Sequence, residues 1–154
     1  MRVRLLIVAV LVAALVVPAA QATPSRATPR EGVWLLKLSP VLGAMSKYTG
    51  RVARLTHNPE ILVRGSNAQL QMAINLAGMR SCMSMLNRRG PAPTARTAAI
   101  RAAVASACGH FGRFAILFAR GIDAYSASLI DRAGAQMSLG NKAIGLAQRR
   151  VNNL

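Results

Sequence analysis

The hydrophobic positions of this chain follow two different patterns. Every residue in the range 5–17 is apolar, whereas from Glu31 onward apolar residues recur at intervals of three and four. The second spacing matches the 3.6-residue period of a helix that buries one face. β-Branched and aromatic residues are scattered and do not alternate with polar ones, so the periodic part is predicted to be all-α.

Proline sets the predicted boundaries in the first part of the periodic region. An apolar band begins at Val33 and is interrupted at Ser39-Pro40, and a proline inside a helix removes a hydrogen bond and clashes with the preceding turn. We therefore expect a short helix before Pro40 and a longer one over about 41–55. The band consists of Val33, Trp34, Leu36, Leu42, Met45, Tyr48, Val52 and Leu55.

The next helix has recognisable start and stop signals. Asn58-Pro59-Glu60 combines a good N-cap, a proline suited to the first helical position and an acid that faces the positive end of the helix dipole. Ser66 offers a second cap after Gly65, and the strongest helical stretch covers 68–89. Gly90-Pro91 then ends the helix.

The third and fourth helices complete the prediction. Thr94 or Thr97 caps a helix whose apolar stripe alternates spacings of four and three, which is typical of helices packed at a shallow crossing angle. A capping-box pattern at Ser128 and Asp131 indicates a turn near 123–126 and a last helix that ends near Val151. The apolar stripe of the third helix consists of Val104, Cys108, Phe111, Ala115, Phe118, Ile122, Tyr125 and Leu129. We predict one domain over 31–154, an antiparallel bundle of about four helices.

The N-terminal segment has the three parts of an export signal. Arg2 and Arg4 precede the apolar run 5–17, and Ala20-Gln21-Ala22 supplies the small residues that a signal peptidase requires. The run is shorter than the roughly 20 residues that span a bilayer, which disfavours an uncleaved anchor. We predict a signal peptide over 1–22, a disordered leader over 23–30, and a secreted protein with no transmembrane span after cleavage.

Cys82 and Cys108 are the only cysteines of the chain. An even count in an exported protein is most simply one disulfide, here between the predicted second and third helices. The alternative is a redox or metal-binding thiol pair, but the chain has no C-x-x-C motif and no histidine beside either cysteine in the predicted fold.

Charge is the property that points to partners. The chain has 20 lysines and arginines against 4 acids, a net charge of +16 that falls to +14 when Arg2 and Arg4 leave with the signal. An exported protein of this charge is attracted to anionic envelope polymers or lipid head groups, and no specific nucleic-acid partner is predicted. A GC-rich genome would also enrich arginine, so selection for the charge stays open. The candidate site is a group of arginines at helix ends that alternating helices would bring to one end: Arg88, Arg89, Arg149 and Arg150.

The sequence contains no recognisable catalytic constellation. The four acids are not spaced as an acid/base pair, no serine or cysteine lies in a nucleophile motif with a histidine partner, and no glycine-rich phosphate loop is present. We therefore predict a non-enzymatic protein without a cofactor, and the sequence does not indicate its oligomeric state.

An exported carrier for Cu(I) or haem is the alternative function. Met79, Cys82, Met83 and Met85, with Met72 upstream, are soft ligands suited to Cu(I), although their spacing is also typical of a core stripe in which methionine fills gaps. His110 is a candidate haem ligand that Tyr48 or Tyr125 would approach, but no C-x-x-C-H motif accompanies it. His57, the other histidine, is predicted to lie in a turn.

Overall fold

The computed structural model describes residues 27–154, so the predicted signal peptide and the first part of the leader lie outside the described residues. All regular structure in this range is helical, without a strand, which confirms the all-α prediction. The elements are α1 (Pro29–Leu55), a 3₁₀ helix (Pro59–Leu62), α2 (Asn67–Arg80), α3 (Cys82–Asn87), α4 (Ala95–Asp123) and α5 (Ala127–Asn152). Because only Ser81 separates α2 from α3, the chain forms four helical arms.

Helix α1 is continuous, and the predicted break at Pro40 is wrong. Pro40 lies inside the helix on its exposed side. The hydrogen bond that this proline cannot make would go to the carbonyl of Leu36. Leu36 is itself 74% exposed, so water can hydrate that carbonyl. The helix also begins at Pro29, inside the stretch predicted as a leader.

The predicted second helix is interrupted at Ser81. The Ser81 hydroxyl donates to the carbonyl of Gly78 at 2.7 Å, and its main-chain N–H is shared between the carbonyls of Ala77 and Gly78. Such side-chain bonding competes with the regular helical ladder. The predicted Cys82–Cys108 disulfide is present, with Cα atoms 5.2 Å apart. It joins α3 to α4 rather than the second helix to the third, because the interruption adds one helix before it.

Hydroxyl side chains cap the three longest helices. Thr28 precedes α1, Thr94 precedes α4 and Ser126 precedes α5, and each side-chain oxygen accepts from the main-chain N–H three residues later. These bonds satisfy N–H groups that have no partner within the helix. The predicted capping box at Ser128 and Asp131 is wrong, because α5 begins before Ser128.

The stripe predicted for α4 lies in the core as far as Ile122. Tyr125, its next member, is 73% exposed and has a φ of 48°, because α4 ends at Asp123. Two members of the α1 band are exposed as well: Val33 at 55% and Leu36 at 74%. Most residues of the predicted α1 and α4 stripes therefore lie in the core. The exposed ones either follow the end of a helix or point away from the neighbouring helices.

Helices α4 and α5 form the most extensive contact between two elements of the described chain. A Cβ built onto Gly140 would lie 2.5 Å from the ring of Phe111, and one built onto Gly121 would lie 2.8 Å from the side chain of Ile130. Real Cβ atoms do not come this close to ring or chain carbons, so these glycines permit the helix spacing. The end of α4 thereby faces the start of α5, and the middle of α4 faces the middle of α5.

Helix α4 is the one helix among the described residues that is long and apolar enough to cross a membrane by length and composition. Its buried side chains pack against α2, α3 and α5. A helix surrounded by neighbours in a core has the same composition as a membrane span. We therefore describe α4 as the central helix of the bundle.

Four helix termini meet at one end of the bundle. The start of α1 contacts the start of α4 through Glu31 and Thr94, whose side-chain oxygens are 2.7 Å apart. Arg101 of α4 donates to Asn87 at the end of α3 at 3.0 Å. Arg150 at the end of α5 donates to a main-chain carbonyl of α4 at 2.6 Å. We call this the basic end.

The remaining termini meet at the opposite end. The Tyr125 hydroxyl, between α4 and α5, donates to the main-chain carbonyl of Leu62 in the 3₁₀ helix at 3.4 Å. The Ser66 hydroxyl, which precedes α2, donates to the carbonyl of Glu60 at 2.6 Å. The end of α4, the start of α5 and the 3₁₀ helix therefore lie together, and we call this region the opposite end.

Candidate anionic-surface interface

The cations of the basic end come from four helices. They lie near the starts of α1 and α4, at the end of α3 and in the last turns of α5. Within residues 27–154 only one of them, Arg96, forms a salt bridge with a carboxylate. The set consists of Arg30, Lys37, Arg88, Arg89, Arg96, Arg101, Arg149 and Arg150.

The four arginines predicted as the site lie in two pairs on separate helices. Arg88 and Arg149 are exposed, whereas Arg89 and Arg150 are partly buried. Arg88, the residue that follows α3, donates to the hydroxyl of Ser84 one turn earlier at 2.8 Å. Arg150 is also structural, because its guanidinium holds the end of α5 against α4. Arg88 and Arg149 are therefore the members of the set that solvent reaches most readily.

A buried carboxylate holds the basic end together. Glu31 has no exposed surface, and its Oε1 accepts a hydrogen bond from the Thr94 hydroxyl at 2.7 Å. Its Oε2 accepts from the main-chain N–H of Thr28 and from the guanidinium of Arg96, both at 2.8 Å. Arg96 also donates to the main-chain oxygen of Leu154 at 3.1 Å. One carboxylate thus links the starts of α1 and α4 and, through Arg96, the residues after α5.

The same contacts keep Glu31 ionised. The hydrogen bond from the Thr28 N–H contributes most, followed by that from the Thr94 hydroxyl, and together with the charge of Arg96 they lower the pKa of Glu31 from 4.5 to about 2. Burial acts in the other direction but is the weaker effect. The negative charge of the basic end therefore persists in mildly acidic surroundings, but it lies inside the protein.

The other three acids of the chain lie at the opposite end and are exposed. Glu60 is in the 3₁₀ helix, Asp123 is the last residue of α4, and Asp131 is in the second turn of α5. The chain has only four acids in all, and the fourth is the buried Glu31. Among the described residues, the exposed surface of the basic end consequently carries cations without an acidic side chain.

Sequence reasoning missed half of the cations at this end. It considered arginines near helix C-termini and did not ask which helix starts share an end with them. The starts of α1 and α4 bring Arg30, Lys37, Arg96 and Arg101 to this end. Alternation of helix directions, already part of the predicted antiparallel bundle, is the signal that would have found them.

Three of the residues considered for metal or haem binding are placed in the core, whereas Met83 and Tyr125 are exposed. Met72 and Met79 are buried, and Cys82 is held in the disulfide. His110 Nδ1 lies 2.9 Å from the Oε1 of Gln136. Among the described residues no group of three or more histidine, cysteine or acidic side chains is arranged to hold a metal ion.

Comparisons with known proteins do not identify a relative. No family model matches the chain, and neither the curated proteins nor the solved structures provide a match. The function must therefore be inferred from the geometry and charge of the basic end.

Proposed function

We propose that this protein is an exported, non-enzymatic protein that associates through its basic end with anionic surfaces of the cell envelope. The observation that carries the proposal is the separation of exposed charges. Three exposed acids lie at the opposite end, while the acid of the basic end is buried and bonded to Arg96. Composition alone predicts a positively charged protein. The separation of exposed acids also predicts its orientation, with the basic end towards a negatively charged surface.

The physical basis is the addition of fields from neighbouring cations. Exposed charges are screened over roughly 8 Å at physiological ionic strength, so cations contribute jointly only when they lie close to the same surface. The four helix termini of the basic end provide that proximity. A cluster of one sign raises the local concentration of oppositely charged groups and accelerates encounter.

A structural role for the arginines is the competing explanation. Cations at helix C-termini interact favourably with the helix dipole, and Arg150 and Arg96 both make hydrogen bonds that join elements. This explanation does not require the exposed acids to be excluded from the basic end. It also does not require Arg88 and Arg149 to be exposed, as both are.

The test compares equal losses of charge at the two ends. One variant replaces Arg88, Arg89, Arg149 and Arg150 with glutamine, and the matched control replaces four exposed arginines of the opposite end, Arg54, Arg64, Arg120 and Arg132. Binding to anionic vesicles and to isolated anionic wall polymer is measured at low and at physiological salt, on exported protein whose N-terminus has been determined by mass spectrometry. The basic-end variant should lose more affinity than the control.

A smaller pair of variants separates binding from folding. Arg88 and Arg149 are exposed, so their replacement with glutamine should leave the helical circular dichroism unchanged, and Arg64 and Arg132 provide the control pair. Equal losses of affinity in both pairs of variants would mean that anionic surfaces attract the protein in general and that it has no localised binding site. Absence of salt-sensitive binding to either surface would contradict the proposed function as a whole.

The carrier function remains the alternative prediction. An absorption spectrum and a metal analysis of protein purified from its natural host test it directly. A Soret band or stoichiometric copper would favour the carrier over surface association.

A further inference from the structure

A groove at the basic end lies between the start of α1 and the loop that follows α3. Its volume is about 510 Å³, and it is widely open to solvent. Arg30 and Lys37 line it from α1, and Arg89 lines it from the end of α3. The remaining lining is provided by Val33, Trp34, glycine and prolines, so the groove has no side-chain hydrogen-bond acceptor.

Two donors beside the groove have no partner. The indole Nε1 of Trp34 and the Nε of Arg89 are buried and make no hydrogen bond within residues 27–154. Trp34 is 5% exposed, so water has little access to it. Buried donors are normally paired, and an unpaired one is costly. The chemistry missing from this groove is a hydrogen-bond acceptor, and the three cations favour a negatively charged one.

Exposed aliphatic side chains border the same cations. Arg30, Val33 and Lys37 are spaced so that they lie on one side of α1, with Leu36 beside them. Val33 is 55% exposed and Leu36 is 74% exposed. Aliphatic side chains beside cations with long apolar stems are typical of surfaces that enter the interfacial layer of a membrane.

We propose that the groove receives the head group of an anionic phospholipid while Val33 and Leu36 enter the interfacial layer around it. This inference rests on the proposed function and names lipid as the partner of the basic end. Charge alone would suit a phosphate-bearing polymer equally well. The exposed aliphatic side chains favour lipid, because they leave water on entering a bilayer interface but gain little from a hydrated polymer.

A paired substitution of the aliphatic side chains tests the proposal. Val33→Ser with Leu36→Ser is compared with Leu70→Ser and Ile74→Ser, which alter two similarly exposed aliphatic residues, at 60% and 50%, of α2, a helix whose one cation is Arg80. Vesicles contain equal parts of phosphatidylglycerol and phosphatidylcholine. We expect the α1 variant to lose about tenfold or more in apparent affinity, from the lost burial of two aliphatic groups, and the α2 variant to bind as wild type.

The only tryptophan of the chain lies in the groove and provides a direct readout. Vesicles whose phosphatidylglycerol carries brominated acyl chains should quench Trp34 fluorescence in the wild type and in the α2 variant, and much less in the α1 variant. Both variants change exposed residues, and unchanged circular dichroism will show that they fold. Absence of quenching on vesicles that do bind the protein would place the lipid elsewhere and overturn the proposal.

Further outcomes separate this proposal from the proposed function. Salt-sensitive binding with equal affinity for both aliphatic variants would overturn the lipid site and leave the general association intact. Tighter binding of inorganic phosphate than of vesicles would show that the groove recognises free phosphate, and tighter binding to wall polymer than to vesicles would show a polymer partner. Either result would overturn lipid as the occupant. Absence of binding to any anionic surface would refute both proposals together.

Discussion

The two ends of this bundle use their acidic residues in opposite ways. At the basic end the one acid, Glu31, is buried and accepts hydrogen bonds from α1 and α4, so it stabilises the fold without covering the exposed cations. At the opposite end Glu60, Asp123 and Asp131 are all exposed. The difference shows that a net charge is a poor description of a surface, because the burial of Glu31 leaves the cations of one end without an exposed acidic side chain.

The largest expected effect concerns the disulfide, because it anchors α3, which carries Arg88 and Arg89. Replacing both Cys82 and Cys108 with serine should lower the free energy of unfolding by roughly 3–4 kcal/mol on the chain-entropy model. Amide exchange should accelerate most in α3, at the basic end, and least in the first turns of α5. Urea unfolding and hydrogen exchange measure the two quantities, with untreated wild type as the reference.

A uniform rise in amide exchange rates along the chain would contradict the local role of the disulfide in holding α3. Two alkylatable thiols in exported wild-type protein would contradict the disulfide itself.

The second expected effect concerns the buried acid and its dependence on pH. Glu31→Gln should lower the melting temperature at neutral pH more than the control Glu60→Gln does at the opposite end, because the amide accepts weaker hydrogen bonds and leaves Arg96 without a charged partner. The pKa of Glu31 is lowered from 4.5 to about 2, so its contribution is complete above pH 4.5 and is lost as the pH falls towards 2.

Thermal scans between these pH values check the prediction. The stability difference between wild type and Glu31→Gln should shrink steadily as the pH falls. Parallel curves for the two proteins would mean that the carboxylate does not hold the basic end together.

The third prediction concerns Gly90, the turn residue of the basic end. Its φ is +78° and an added Cβ would meet nothing within 4 Å. Gly90→Ala should therefore lower the free energy of unfolding by about 1–2 kcal/mol, which is the cost of holding alanine at a positive φ. Gly134→Ala in α5 is the control, since it also has open space but lacks a positive φ. It should be neutral or stabilising by up to about 1 kcal/mol, because alanine favours the helix. Denaturant unfolding of both variants measures the contrast, and a neutral Gly90→Ala would be inconsistent with the turn.

The smallest expected effect concerns Tyr125, the turn residue of the opposite end. Its φ of 48° is unfavourable for a side chain, so Tyr125→Gly should stabilise the protein by up to about 1 kcal/mol, in the direction opposite to Gly90→Ala. Tyr125→Phe isolates the exposed 3.4 Å bond to Leu62 and should change stability by no more than about 0.5 kcal/mol. A clear loss with either variant would show that the Tyr125 contact holds the opposite end together.

Local signals in the sequence predicted much of the fold. The hydroxyl caps at Thr94 and Ser66, the stop at Gly90-Pro91 and the α4 stripe as far as Ile122 all depend on neighbours within a few residues, and the structure contains each of them. Pro40 was misjudged because its effect depends on whether the carbonyl it leaves unbonded faces water or protein. Ser81 was missed because a serine side chain either points to solvent or bonds back to its own helix, and the sequence pattern is the same for both.

By itself the sequence determined an all-α chain with a large positive charge and one pair of cysteines, because helical period, charge and cysteine count are properties of the residues alone. Only the tertiary structure decided that Glu31 is buried, that Val33 and Leu36 are exposed, and that helix starts and ends from four arms share the basic end. These properties depend on contacts between residues as distant in sequence as Glu31 and Arg96. Such contacts follow from how the helices pack, which no local pattern specifies.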